Sequence, residues 1–230
     1  MKILAIETAT EACSAALLID QELIQRHALK PRGHSELVLG MMDDLLSEAG
    51  VRIRSLDALA FGRGPGSFTG VRIATGVIQG AALGADLPVL PVSTLAALAQ
   101  RGYRELAQEQ LLPAYDARMG ELYWAAYRVG QRGLVELALP EQVASAEQVT
   151  LPEQEGWFGV GSGWGCCAEP LQARLGNRLL GFQADFHCSA EDVVRLAAED
   201  FRLGRAVAPE RALPVYLRNR VAQKPGSSSK

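Results

Sequence analysis

Hydrophobic and polar positions alternate in two ways along the chain. Short apolar runs are broken by polar turns, and longer stretches repeat with a helical period. Residues 2–6 and 14–19 are apolar runs on either side of the turn "ETATEA", and both predict strands. Residues 23–29 predict a third strand, paired through "DQE". The stretch "RGHSELVLGMMDDLLSEAG" predicts a helix over 35–49, closed by Gly50. A fourth strand follows at 56–61 and a second helix at 69–83, with Gly84 at or just past its end. "LPVLPVS" gives a short buried strand, and 94–101 a third helix capped by Ser93. The order β-β-β-α-β-α-β-α implies a mixed sheet with helices on its faces. It is the order of a ribonuclease-H-like unit.

The three-strand opening recurs from about residue 111, without a visible sequence repeat. "LLPAYDA" and "ELYWAAYRV" predict strands joined by "RMG", "LVELAL" a third and "GWFGVG" a later one. Residues 190–202 predict a helix with apolar Val193, Val194, Leu196, Ala197 and Phe201. Two similar units in tandem imply two lobes, 1–104 and 105–222, with a cleft between them. The polar, glycine-serine-rich tail 223–230 is expected to be disordered.

Two helices carry more apolar or small residues than one sheet needs. On the first, Leu37, Val38, Met41, Met42, Leu45, Leu46 and Ala49 cover about half the circumference at 100° per residue, and Leu39 widens that. Paired methionines suit an adaptable contact surface. On the second, Gly76, Gly80 and Gly84 form a stripe beside Ile73 and Val77. Each interior glycine costs about 1 kcal/mol of helix stability relative to alanine. Close approach of another backbone is the usual compensation. The patterns fit a partner surface and a helix wedged within its own lobe equally well.

Composition narrows the function classes. The 230 residues are 48% hydrophobic and 21% charged, an ordinary globular balance, with net charge −3. A chain that binds RNA tightly by itself usually has a basic face. Glu7 and Glu11 interrupt the only stretch resembling a signal peptide, and no apolar run has membrane-spanning length. Cys13, Cys166, Cys167 and Cys188 contain no CxxC pair and read as reduced thiols of a cytoplasmic protein.

Candidate chemistry is sparse. The turn "AIETATEACSAAL" resembles a phosphate-binding hairpin, with Glu7, Thr8 and Ser67 as weak ligand candidates. Such a loop wants Asp and then Gly, where this chain has Glu7 and Ala9. A methyl group there hinders close backbone approach, so the structural reading is preferred. "GRGPGSFTG" lacks the P-loop lysine, and Thr69 stands where a dinucleotide fingerprint needs its third glycine. The loop precedes a helix, whose free amides suit an anion. His34 begins an H-x-x-x-H spacing, but Val38 occupies the second place. His34 therefore reads as a helix start or surface contact. Asp116, Arg118 and Glu121 surround a hairpin turn. A local Asp116–Arg118 ion pair is the preferred reading, and the cleft is the other.

Five blocks decide the family resemblance: "ILAIETATEACSAAL", "HSELVLGMMDDLL", "GRGPGSFTGVRIATGVIQG", "YDARMGELYWAAY" and "PVYLRNRVA". In order, over residues 1–222, they resemble the bacterial TsaB (YeaZ) family. The resemblance implies an α/β fold of two ribonuclease-H-like lobes of the actin–Hsp70 (ASKHA) type. It implies a cytoplasmic role in making N6-threonylcarbamoyladenosine at position 37 of tRNAs reading codons that begin with A. In that system the TsaD paralogue carries the metal and nucleotide sites, and Val38 separates the present chain from it. The implied role is a non-catalytic subunit without cofactor or metal. The implied partners are TsaD, in a heterodimer packed through the first helices of each N-terminal lobe, and the ATPase TsaE in a larger complex. tRNA is met indirectly, the chain alone pairs with itself, and no membrane is involved. The first helix would contribute His34, Leu37, Val38, Met41, Met42 and Leu45 to the interface, and the second Arg72, Ile73, Gly76, Val77 and Gly80. The competing functions are an active nucleotide-binding phosphotransferase or ATPase of the same fold, and an M22-type metallopeptidase.

Overall fold

The computed structural model describes residues 1–30 and 33–218. The tail at 223–230 and the last four residues of the "PVYLRNRVA" block lie outside the described residues. The first sheet holds β1 (Lys2–Glu7), β2 (Ala12–Ile19), β3 (Glu22–Leu29), β4 (Ala58–Gly62) and β5 (Val89–Val92) in the order β3-β2-β1-β4-β5. The second holds β6 (Gln110–Arg118), β7 (Glu121–Val129), β8 (Val135–Ser145), β9 (Trp157–Val160) and β10 (Leu179–Gln183) in the order β10-β9-β6-β7-β8. Read from the third strand of each unit, the two orders are the same, with antiparallel hairpins followed by parallel pairs. The expected pair of ribonuclease-H-like units is the observed fold.

The helices are α1 (His34–Glu48), α2 (Phe68–Ala85), α3 (Thr94–Leu106), α4 (Gly163–Leu175) and α5 (Ala190–Arg202). Ser93 caps α3 as expected, its Oγ accepting from the amides of Leu95 and Ala96. Gly84 lies inside α2 rather than at its end. The helix runs to Ala85 and is closed by Asp86 in the left-handed region, φ 57°.

Alternation along the first sheet shows why it is covered on both faces. Leu4, Ile6, Cys13, Ala15, Leu17, Leu59 and Phe61 form one core with the buried sides of α1 and α2. On the other face, small Ala5, Ala16, Ala58 and Ala60 join a core with Leu95, Leu98, Val193 and Val194. Those alanines leave room for α5 to lie against β1, β2 and β4. The second sheet shares this inner core through Leu111, Tyr115, Tyr127 and Val160. Its outer face packs Trp124 and Trp157 against Trp164 of α4.

Two helices cross between the units. α3, at the end of the first, packs on β6, β7 and β8. α5, which follows the second sheet, packs on the first sheet. The sequence division at 104/105 thus falls inside α3, which belongs by packing to the second sheet. Arg104 of α3 and buried Asp192 of α5 join the two helices through paired contacts of 3.1 Å.

The sequence reading passed over α4 and β10. Gly163, Gly165 and Pro170 resemble loop residues, and α4 leaves helical geometry at Cys167. Burial of Trp164 and Leu171 holds it in place.

Candidate functional site

The site begins where β1 delivers Glu7 into the interior. Glu7 is fully buried and folds back on its own turn. One carboxylate oxygen accepts from the Ala9 amide at 2.6 Å and the other from Thr94 Oγ1 at 3.2 Å. Burial pushes its carboxyl above the usual range, against the bonds donated by Ala9, Thr94 and the Cys188 thiol. Thr8 Oγ1 donates to the Gly70 carbonyl at 2.7 Å, and the Ser67 amide donates to the Ala9 carbonyl at 2.7 Å. The β1–β2 turn is therefore bonded directly to the start of α2.

This contact explains the glycine-rich block. A Cβ on Gly70 would stand 2.0 Å from the Thr8 carbonyl oxygen, and one on Gly66 2.4 Å from that of Ala9. The block closes on the chain's own backbone at Thr8 and Ala9. Ser67 is the helix cap, accepting from the Gly70 amide at 3.3 Å. Of the three weak ligand candidates, Glu7 and Thr8 are committed to internal bonds, and Ser67 faces the cleft.

That cleft, about 800 Å³, opens between the two units. His34, Ser67 and Phe68 line it from the first, and Asp116, Arg118 and Ser162 from the second. The expected Asp116–Arg118 ion pair is present at 3.0 Å, so the local pair and the cleft position hold together. Glu121 pairs with Arg218. Sequence reasoning missed Tyr216, whose ring lies tilted at 40° to Phe68 with centroids 5.6 Å apart, while the Arg72 guanidinium covers Phe68 at 3.1 Å. Only the return of the chain to α2 places Tyr216 there. His34 starts α1, as expected.

The second feature is the outer side of α1 and α2. Val38, Met42 and Leu45 do not belong to it. They are 0%, 5% and 0% exposed and pack against the first sheet. Their spacing places them on the inward stripe, which corrects their expected place at an interface. Leu37, Met41, Ile73 and Val77 are half-buried at the margins, and Arg72, Gly76 and Gly80 are exposed. Leu39 and Leu83, 57% and 65% exposed, stand on the outward side. Gly76, Gly80 and Gly84 have open space where a Cβ would be. No backbone of the described chain approaches the stripe.

Comparison with known proteins is decisive on family. Residues 27–217 match the family model described as TsaD: tRNA N6-adenosine threonylcarbamoyltransferase. Over 232 aligned residues the chain is 44% identical to the tRNA threonylcarbamoyladenosine biosynthesis protein TsaB of Escherichia coli K12, covering 97% of each. The chain belongs to the TsaB family. The TsaB of Haemophilus influenzae is 36% identical, with 97% of this chain and 96% of that protein covered. The solved YeaZ of Pseudomonas aeruginosa superposes with a TM-score of 0.88 at 46% identity, over 94% of this chain and 99% of that one. A TsaB-family chain thus carries two distinct surfaces, a cleft backed by a self-filled loop and an open small-residue helix face. Among the described residues no helix is long and apolar enough to cross a membrane.

Proposed function

We propose that this TsaB-family chain serves the formation of N6-threonylcarbamoyladenosine at position 37 of tRNAs reading codons that begin with A, as a cytoplasmic accessory subunit. It docks on the TsaD paralogue through the outer side of α1 and α2. TsaE joins the larger complex, tRNA is reached through the partner, and the same face pairs two copies when the partner is absent. The observation that carries the reading is the glycine stripe, whose Cβ positions at 76, 80 and 84 meet nothing within 4 Å among the described residues. Leu83 on the same helix and Leu39 on α1 add exposed apolar surface.

The subunit role without chemistry rests on the β1–β2 turn. Thr8 and Ala9 pack directly on the backbone at Gly70 and Gly66, which leaves no cradle between the β1–β2 turn and the start of α2. Glu7, where a phosphate-binding hairpin would carry its Asp, is spent on Ala9 and Thr94. The test is co-purification with the same organism's TsaD, then a reconstituted tRNA modification assay omitting each component in turn. Modification is expected to fail without this chain. Full modification in its absence would refute the proposal. So would ATP turnover by the isolated chain that disappears in Glu7→Ala.

A further inference from the structure

Cys166 and Cys167, in the first turns of α4, form a nucleophilic pair that neither the cleft nor the helix face uses. Their Sγ atoms lie 3.0 Å apart. Cys166 is exposed and Cys167 half-exposed, whereas Cys13 and Cys188 are buried. The backbone at Cys167 has left the helical basin, with φ −133° and ψ 24°. The chain is already bent where two adjacent side chains must turn toward each other. Cys166 also donates to the Gly163 carbonyl at 3.4 Å, back into the first turn of the helix.

We propose that Cys166 and Cys167 are a reversible redox-modification site, closed by a hydroperoxide to a disulfide between neighbours and reopened by thiols, and that closure acts on the Asp116–Arg118 turn. Partial desolvation at its sulfur, the Cys167 sulfur and Asp116 push the Cys166 thiol up to about 12, so Cys166 keeps its proton through the first step. Cys167 Sγ attacks the peroxide. An S–O bond forms, the O–O bond breaks, and the departing oxygen leaves as alcohol or water, giving a sulfenic acid. Cys166 Sγ then attacks the Cys167 sulfur. The S–S bond forms, the S–O bond breaks, and hydroxide leaves with the thiol proton as water. Two thiols and one hydroperoxide yield one disulfide, one water and one alcohol or water, with two electrons passing to the peroxide.

Reversibility follows from adjacency. Neighbouring Cα atoms are about 3.8 Å apart across a trans peptide, below the usual disulfide span of roughly 4.4–6.8 Å. Such a ring is strained and easily reduced. The pair therefore rests as a dithiol and closes only under oxidant. The route to the cleft is short. Ser162, in the cap position of α4, accepts from the Asp116 amide at 3.3 Å, and Asp116 holds Arg118. Trp164, buried and stacked on Phe182 at 5.4 Å, lies two residues from Cys166 and reports movement of this turn.

The experiment treats the purified full chain with hydrogen peroxide and reads intact mass, peptide maps and tryptophan emission. The wild type is expected to lose the mass of two hydrogens, map a Cys166–Cys167 crosslink, change its emission and recover fully with dithiothreitol. Cys166→Ser is expected to gain one oxygen at Cys167, trapped by dimedone, with no crosslink. The Cys166→Ser/Cys167→Ser double variant is expected to keep its emission under peroxide. Stepwise oxygen addition at both sulfurs without hydrogen loss would overturn the proposal, as would covalent dimers in place of the internal crosslink. A crosslink formed with unchanged emission would overturn the coupling to the α4 turn.

Discussion

Replacing Gly80 with Leu separates the two demands on α2. The added side chain meets open space, since among the described residues nothing lies within 4 Å of the Cβ position. Leu is a better helix former than Gly by about 0.8 kcal/mol. In a chain of this size each kcal/mol moves the melting temperature by about 2–4 °C. The isolated variant should therefore melt about 2 °C or more above the wild type. Binding should move the other way. If a partner backbone lies close to the stripe, the Leu overpacks the contact at about 1–3 kcal/mol. At 1.4 kcal/mol per decade this weakens the TsaD complex roughly five- to a hundredfold. The assay is a thermal melt of the variant alone, followed by calorimetric titration into TsaD. Modification activity should fall in parallel and recover with excess subunit. A melting point several degrees lower would show that Gly80 packs inward. Unchanged affinity with raised stability would show that the stripe faces no partner, and would refute the interface.

Gly70→Ala is the opposite case, because its Cβ would press on the Thr8 carbonyl at 2.0 Å. It should lose about 1–3 kcal/mol in urea unfolding, and wild-type stability would refute the direct turn–helix contact. Val38→Asp places a charge without a partner at a site with 0% exposure and should abolish folding as read by circular dichroism. Leu39→Asp, one residue along at 57% exposure, should keep the fold and weaken TsaD binding, and equal behaviour of the two variants would contradict the assigned faces. Glu7 titrates above its ordinary 4.5 in the folded chain because of burial. The folded state holds that proton more tightly than the unfolded one, so the group's contribution is full below pH 4.5 and fades as pH rises through its folded pKa. Glu7→Gln carries no such loss, so its urea midpoint should gain on the wild type from about pH 4.5 upward. A difference independent of pH would refute it.

The sequence by itself determined the element types wherever local pattern and packing agree. Strands 2–6 and 14–19 are apolar on both faces because the sheet is covered on both, so their runs are continuous and visible. The helix at 190–202 shows because its apolar residues repeat at the helical period, and Ser93 shows because a hydroxyl before an apolar stretch satisfies free amides. The failed phosphate motifs were also legible, since Ala9 and the missing lysine are local facts. Tertiary structure alone decided the rest. Which side of the α1 stripe faces inward depends on where the sheet lies, so Val38 and Leu39, adjacent in sequence, went to opposite fates. α4 is held by Trp164 against the second sheet despite glycines and a proline, since burial outweighs propensity there. The exchange of α3 and α5 between the units depends on alanines far apart in the chain, which together make one shallow face. The glycines at 66 and 70 have the spacing of a ligand loop, and only contact with Thr8 and Ala9 shows that the chain fills that loop itself.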